Sequence, residues 1–493
     1  MRHRALAFLV LAALVAWLIV PRLHAQQSAA APAFLGTAER LRSFVDASAN
    51  GGYIPGETLV KFREGTVPAD QTRALSALRR GTTGASSRWI GNSVLLVSTP
   101  DDGNAPAIAA TLAQQPEIEW AQPNYIRKRK LRPNDPGYSL QWNMNLINLP
   151  AAWDINKGAA STVTIALIDS GVNTTTTTPT FRVWTGERFE DVAIPFAINP
   201  DISTGRIKAG RDFVFWNGSV LDMDGHGTQV AGTLLQETNN NLGTAGIAYQ
   251  ASLLPLKVCF GYWDLQLLLG MANIPGFADP DDTGCPDDAI GQAIRFAADS
   301  GAQIINISLS GGAPSPFLRD ALNYAVSRGA FVAMAIGNEF FSGNPTEYPA
   351  AYAAQIDGAV AVGAVNRSSK RAPYSNTGSY VELAAPGGDF NDGALDGLIT
   401  QVGLDFTLFD QTSVVRPRFD RYNLISVEGT SVAAPHVAGV AALLYAQGIT
   451  NPAAIESALE RTATDLGTAG RDPEYGFGLI NARAAVRGLG LAK

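Results

Sequence analysis

Gly429-Thr430-Ser431-Val432-Ala433-Ala434-Pro435-His436-Val437-Ala438-Gly439 places a serine at the start of a run of small and apolar residues. Such a run suits a helix packed tightly inside a core. Pro435 is expected in the first helical turn, where its missing N–H costs nothing. The Ser431 hydroxyl then lies at the positive end of the helix dipole, beside backbone N–H groups that lack intrahelical partners. An oxyanion forming there finds donors already in place. A capping serine on a buried helix satisfies the same pattern, so the segment has to be weighed against the rest of the chain.

Upstream, Thr164-Ile165-Ala166-Leu167-Ile168 reads as a buried strand running into Asp169-Ser170-Gly171-Val172. Asp224-Gly225-His226-Gly227-Thr228-Gln229-Val230-Ala231-Gly232 then sets a histidine between two glycines, ahead of a second small-residue helix. Asp169, His226 and Ser431 are the parts of an activated nucleophile: the hydroxyl attacks, the imidazole takes its proton, and the carboxylate fixes the tautomer. The order Asp, His, Ser is that of subtilisin. The three motifs resemble the subtilisin-like serine peptidases, and the resemblance runs from about Asn134 to Asn481. Gln229 stands where many relatives carry a second histidine, and Val432 where many carry methionine.

The chain has 493 residues, a net charge of -7, 49 glycines and only 16% charged residues. That length allows more than one domain and a large core. The acidic balance gives no case for nucleic-acid binding. Arg2, His3 and Arg4 precede an apolar run from Ala5 to Val20, and Ala25 offers a small residue for cleavage. This is the pattern of a secretory signal peptide over 1–25, pointing to an extracellular or periplasmic protein. The apolar run is short for an uncleaved membrane anchor, and no later stretch approaches spanning length. The cysteines are Cys259 and Cys285. Export admits a disulfide between them that pins the aromatic and acidic stretch from Tyr262 to Asp282, with buried free thiols as the alternative.

Residues 26–52 are rich in Ala, Ser and Gly and read as a linker. Strands are expected at Glu57–Phe62, Ser93–Val97 and Ile118–Ala121, and helices at Ala69–Arg80 and Ala105–Gln114. Pro55-Gly56-Glu57 and Glu119-Trp120-Ala121-Gln122-Pro123-Asn124-Tyr125 resemble the inhibitory propeptides of subtilisin-like enzymes. That likeness implies a small α/β, ferredoxin-like propeptide over 53–130, acting as intramolecular chaperone and inhibitor. Arg127-Lys128-Arg129-Lys130-Leu131-Arg132 is the densest basic run, placed where the family cuts itself, and exposed linkers are where proteolysis concentrates. The catalytic domain is assigned to 131–493. Strands at Val163–Ile168, Ser252–Val258, Ile304–Ile307, Phe331–Ala335 and Val360–Val365 alternate with helices such as Asp288–Asp299 and Pro316–Arg328. This argues for a mostly parallel sheet with helices on both faces.

The resemblance also implies roles beyond the triad. Asn338, in Ala335-Ile336-Gly337-Asn338-Glu339, takes the part of the oxyanion-hole amide, together with the Ser431 N–H. Ser308, Leu309, Ser310 and Gly311 form a strand that pairs with extended substrate. Glu347 lines the first specificity pocket, where relatives often have glycine, and predicts a preference for Arg or Lys, the alternative being a Glu347 turned to solvent and a pocket for large apolar residues. Gln141 with Asn240, Leu242 and Thr244 resembles a structural calcium loop. The aspartate expected with it is not evident, because Asn173–Pro179 is a threonine-rich insertion. The implied whole is a secreted serine endopeptidase acting on protein or peptide substrates and made as a self-processing zymogen.

Overall fold

The computed structural model describes residues 52–78, 86–90, 93–99, 104–126, 132–184, 188–269, 283–405 and 417–488. The expected signal peptide, nearly all of the linker, and residues 127–131 of the basic run lie outside them. The chain divides into two compact units, Met1–Arg129 and Lys130–Lys493.

In the first unit, four antiparallel strands take the order Ser86–Ile90, Val94–Ser98, Tyr53–Phe62, Ile118–Tyr125. The helices Pro68–Leu75 and Ala105–Ala113 follow the first and third strands of the chain, which gives the ferredoxin-like β-α-β-β-α-β order. Val60, Phe62, Leu95, Val97, Ile108, Leu112 and Ile118 form its core. The helix expected over Ala69–Arg80 ends as a 3-10 turn at Ser76–Leu78. Ser86–Ile90 was not expected, and every residue of it is exposed, so it shows no apolar alternation to read.

The second unit is built on a seven-stranded parallel sheet. Its order is Leu383–Pro386, Ala359–Val365, Phe331–Ala335, Ile304–Ile307, Thr164–Asp169, Ser252–Lys257, Arg211–Asp212. Alternate residues of the central strand enter different cores. Ile165 and Leu167 join the core of the helices His226–Leu235 and Thr430–Ala446. Ala166 and Ile168 join that of Asp287–Asp299 and Pro316–Ser327. The sheet is thus covered on both faces, as mostly apolar parallel strands require. From Thr164–Asp169 the chain goes to one side, first to the edge strand Arg211–Asp212 and then to the neighbour Ser252–Lys257, and later crosses to Ile304–Ile307 on the other. Asp169 therefore ends the strand at a topological switch point, where open α/β sheets form their crevice.

Candidate active site

Asp169 is buried at the end of its strand, and its Oδ1 accepts from His226 Nδ1 at 2.7 Å and from Ser170 N at 2.7 Å. Nδ1 therefore carries a proton, which leaves Nε2 as the basic nitrogen. His226 opens its helix, and side chains satisfy the N–H groups of that first turn. His226 N donates to Asp224 Oδ1, Gly227 N to Ser170 Oγ at 2.8 Å, and Thr228 N to Asp222 Oδ2 at 2.9 Å. Gly227 has to be glycine, since a Cβ would meet the Gly171 carbonyl oxygen at 2.1 Å. Asp222 also accepts from Ser170 Oγ, Gly225 N and Thr228 Oγ1, and its own N–H donates to Asn173. Burial works against a charge on His226, yet Asp169, with Asp224 and Asp222 behind it, raises its pKa to about 9.

Ser431 is the second residue of the helix Thr430–Ala446, so Pro435 lies inside the helix and not in its first turn as expected. The reason is a donor from elsewhere in the chain. The N–H that Pro435 lacks would have bonded the Ser431 carbonyl. Ser308 Oγ donates to that carbonyl instead, at 2.6 Å, and is itself held by Asn306 Nδ2 at 2.9 Å. His436, in the same motif, is a buried neutral core residue: burial pushes its pKa down to about 4, and its ring nitrogens meet Val432 O and Asn143 Nδ2.

Asn338 follows the strand Phe331–Ala335 by three residues. Its Oδ1 accepts from the N–H of Thr430 at 2.9 Å and from the Thr430 hydroxyl at 3.0 Å, which turns its Nδ2 away from Thr430. The Thr430, Val432 and Ala433 N–H groups are all engaged, whereas no described group accepts from the Ser431 N–H. A Cβ placed on Gly429 would lie 3.0 Å from Ser431 Oγ, 3.5 Å from Asn338 Nδ2 and 3.7 Å from Ser431 N. One point in space thus faces a nucleophile and two N–H donors, and Gly429 leaves it open.

Asp169, His226, Asn338 and Ser431 line one cleft of about 630 Å³, together with Ser308, Leu309, Glu339, Glu428 and both cysteines. The cysteines are joined, with Cα atoms 4.2 Å apart. The disulfide brings Thr283 to the histidine turn, where its hydroxyl donates to Asp224 Oδ2 at 2.6 Å. The Subtilase family matches residues 160–478. This chain belongs to the subtilase family. Residues 42–124 match the Fervidolysin N-terminal prodomain. The chain is 32% identical to a thermophilic serine proteinase of Bacillus sp. (strain AK1), over 88% of each chain. It is 31% identical to thermitase of Thermoactinomyces vulgaris, over 72% of this chain and 99% of thermitase. A solved protease of Pseudoalteromonas arctica PAMC 21717 superposes with a TM-score of 0.52 at 28% identity, covering 72% of this chain and 99% of that one. The chain is accordingly a subtilisin-like serine endopeptidase with an N-terminal prodomain.

Other expected positions of this subtilase fall as follows. Ser308 and Leu309 line the cleft, while Gly311 exchanges two backbone hydrogen bonds of 2.8 Å with Tyr348. Glu347 is buried, and a hydrogen bond from Ser310 reaches its carboxylate. The Asn240–Thr244 loop meets a buried carboxylate that sequence reading did not find, that of Asp201. Its carboxylate accepts from Asn240 Nδ2 at 2.8 Å and Thr244 N at 2.9 Å, and burial raises its pKa to about 7. Gln141 does not offer a free oxygen there, because both its amide atoms pair with the Ala245 backbone. Thr244 Oγ1 donates to Gln236, and Leu242 donates its N–H to Asn240 Oδ1. A buried carboxylate beside an amide and loop carbonyls remains the hard-oxygen chemistry that suits calcium. Elsewhere, among the described residues, the carboxylates of Glu382, Glu456 and Glu460 converge within 4.8 Å. Burial raises Glu382 to about 8 and Glu456 to about 7, so this cluster holds protons at neutral pH.

Proposed function

We propose that this subtilase is a secreted endopeptidase made as a self-processing zymogen. Its parts are a signal peptide over 1–25, a linker over 26–52, an inhibitory propeptide over 53–130 and a catalytic domain over 131–493. The observation that carries the reading is the 2.7 Å bond from His226 to Asp169 in a cleft shared with Ser431 and Asn338. Ser431 Oγ attacks the scissile carbonyl while His226 Nε2 takes its proton. Asp169 holds the imidazole in that tautomer and steadies the imidazolium. Asn338 Nδ2 and the Ser431 N–H stabilise the tetrahedral oxyanion. His226 then gives its proton to the leaving amine, and water hydrolyses the acyl-enzyme by the reverse proton path.

Export is supported by the charged and apolar pattern of residues 2–25 and by a disulfide, which an oxidising compartment preserves. The prodomain is assigned the role of intramolecular inhibitor, released by cleavage near Lys130. Calcium is assigned a structural role, with Asp201 and the Asn240–Thr244 loop holding it and the ion neutralising a buried carboxylate. Ser431→Ala tests the whole reading. The variant, expressed with no other protease present, loses peptide hydrolysis and stays uncut near Lys130, as read by mass spectrometry and N-terminal sequencing. Normal maturation of that variant would sink self-processing.

A further inference from the structure

Among the described residues, the catalytic cleft carries Asp169, Asp224, Glu339 and Glu428 on its lining and neither lysine nor arginine. A fifth carboxylate stands behind the wall beside Asn338. Glu347 is only 4% exposed. A Cβ on Gly337 would meet Glu347 Cγ at 2.7 Å and Glu339 Oε2 at 2.5 Å. Both glutamates therefore converge on the residue that precedes the oxyanion donor.

Among the described residues no counter-charge meets this pair, and the Asn338 N–H donates to Glu339 Oε2 at 2.6 Å. Burial and the Glu339 charge both push the Glu347 pKa up, and only the Ser310 hydrogen bond opposes them. Among the described residues, no lysine or arginine forms an ion pair with Glu339 or Glu347. A buried carboxylate is costly unless a counter-charge or a proton meets it. A substrate side chain entering beside Asn338 can supply that charge by charge-assisted hydrogen bonds.

The other wall carries Asp224, two residues before His226, with its carboxylate held by His226 N and Thr283. Successive side chains of an extended peptide point to opposite sides. A residue aimed at Glu339 and Glu347 therefore has a neighbour aimed at the histidine wall, where Asp224 sits. The chain itself contains a segment of matching charge. Arg127-Lys128-Arg129-Lys130-Leu131-Arg132 stands out in a protein of net charge -7, and the two compact units part between Arg129 and Lys130.

We infer that the cleft selects peptide segments with Arg or Lys at the cleaved position and a second basic residue just before it. Glu347 and Glu339 hold the first and Asp224 holds the second. Residues 127–132 are a substrate of this class. The inference rests on the peptidase reading above and names the substrate of that same site.

The test uses the full chain, expressed and left to mature, with matched fluorogenic peptides. These end in Ala-Arg, Arg-Arg, Ala-Leu or Ala-Phe before the scissile bond, and unfolded casein serves as a general substrate. Wild type is expected to favour Ala-Arg over Ala-Leu and Ala-Phe in kcat/KM, and Arg-Arg above all three. Glu347→Gln lowers the Arg-to-Leu ratio by about tenfold or more, the scale of one charge-assisted contact. Glu339→Gln lowers it less, and Asp224→Asn lowers the Arg-Arg to Ala-Arg ratio. A wild-type preference for Leu or Phe overturns the inference, as does an Arg-to-Leu ratio that neither glutamate variant moves. Should Glu347→Gln fail to fold, the wild-type ranking and Glu339→Gln still decide. Casein hydrolysis with Leu or Phe ranked first removes basic selectivity alone, whereas no hydrolysis of any substrate removes the peptidase reading itself.

Discussion

Ser308 donates its hydroxyl to the carbonyl of Ser431 at 2.6 Å, in place of the N–H that Pro435 cannot provide. Ser308→Ala leaves that carbonyl without its donor and is expected to cost about 1–3 kcal/mol, the price of an unsatisfied buried polar group. Chemical denaturation of the Ser431→Ala background, which cannot digest itself, measures this. Pro435→Ala restores an N–H within the helix. The Ser308→Ala cost should therefore shrink in the Pro435→Ala background, as a double-mutant cycle reads directly. Equal costs in both backgrounds would show that the two residues do not share the carbonyl.

The amide of Asn338 is oriented by Thr430, which donates both its N–H and its hydroxyl to the same oxygen. Asn338→Ala is expected to lower kcat by about a hundred- to a thousandfold with little change in KM, the size measured for removing one oxyanion donor in a subtilisin. Thr430→Val removes only the orienting hydroxyl. It should lower kcat by about tenfold, since misplacing a group near the chemistry is costly even when the group remains. A KM effect with kcat unchanged would instead place Asn338 in ground-state binding.

The pH dependence follows from the carboxylates around His226. Burial disfavours its protonated form, but Asp169, Asp224 and Asp222 outweigh this and raise its pKa to about 9. The reaction needs the neutral ring, so kcat/KM on a peptide without ionisable groups should rise with pH through about 9. Asp224→Asn removes one raising charge and should move that midpoint to lower pH. Stability runs the other way. The folded pKa lies above the ordinary value of 6.5, so this pairing stabilises the fold fully below that value and is lost as pH rises through about 9. An activity midpoint near 6.5 that Asp224→Asn leaves in place would remove this account.

Asp201 is the acid that the Asn240–Thr244 loop needs if it holds a cation. Chelation with EDTA should lower the Tm of the inactive Ser431→Ala protein, and added calcium should restore it. Asp201→Asn should abolish the response while leaving a folded protein. A Tm indifferent to both chelator and calcium would leave the loop as a hydrogen-bonded turn and nothing more.

Much of the second unit was legible because the inner strands are mostly apolar and the triad side chains sit at the ends of such strands or helices. Thr164–Asp169, Ile304–Ile307 and Phe331–Ala335 appear within a residue of where their composition places them. Two of the strands missed carry no signal to read, whereas Leu383–Pro386 and Ile399–Leu404 were missed although they are buried throughout, being too short to show a period. Arg211–Asp212 has two residues, and Ser86–Ile90 is exposed throughout. Among site residues, Asp201, Asn173 and Thr430 escaped for another reason. Each acts through a partner far off in sequence: Asp201 through Asn240, Asn173 through Asp222 and Thr430 through Asn338. Periodicity and motif spacing report local order and do not see such pairs. Pro435 misled because its usual place in a first turn was assumed, while a donor from another strand removed the objection to the interior.

The first turn of the serine helix has a consequence for folding order. Its missing bond is supplied across 123 residues, its link to Asn338 spans 92, and the Asp169–His226 bond spans 57. Closing loops of that length is slow, and parallel sheets concentrate such closures late in assembly. No local fragment of this chain can hold the nucleophile in place by itself. Hydrolysis should therefore be the last property to return in a refolding experiment, after helical signal and after burial of the core tryptophan, Trp153.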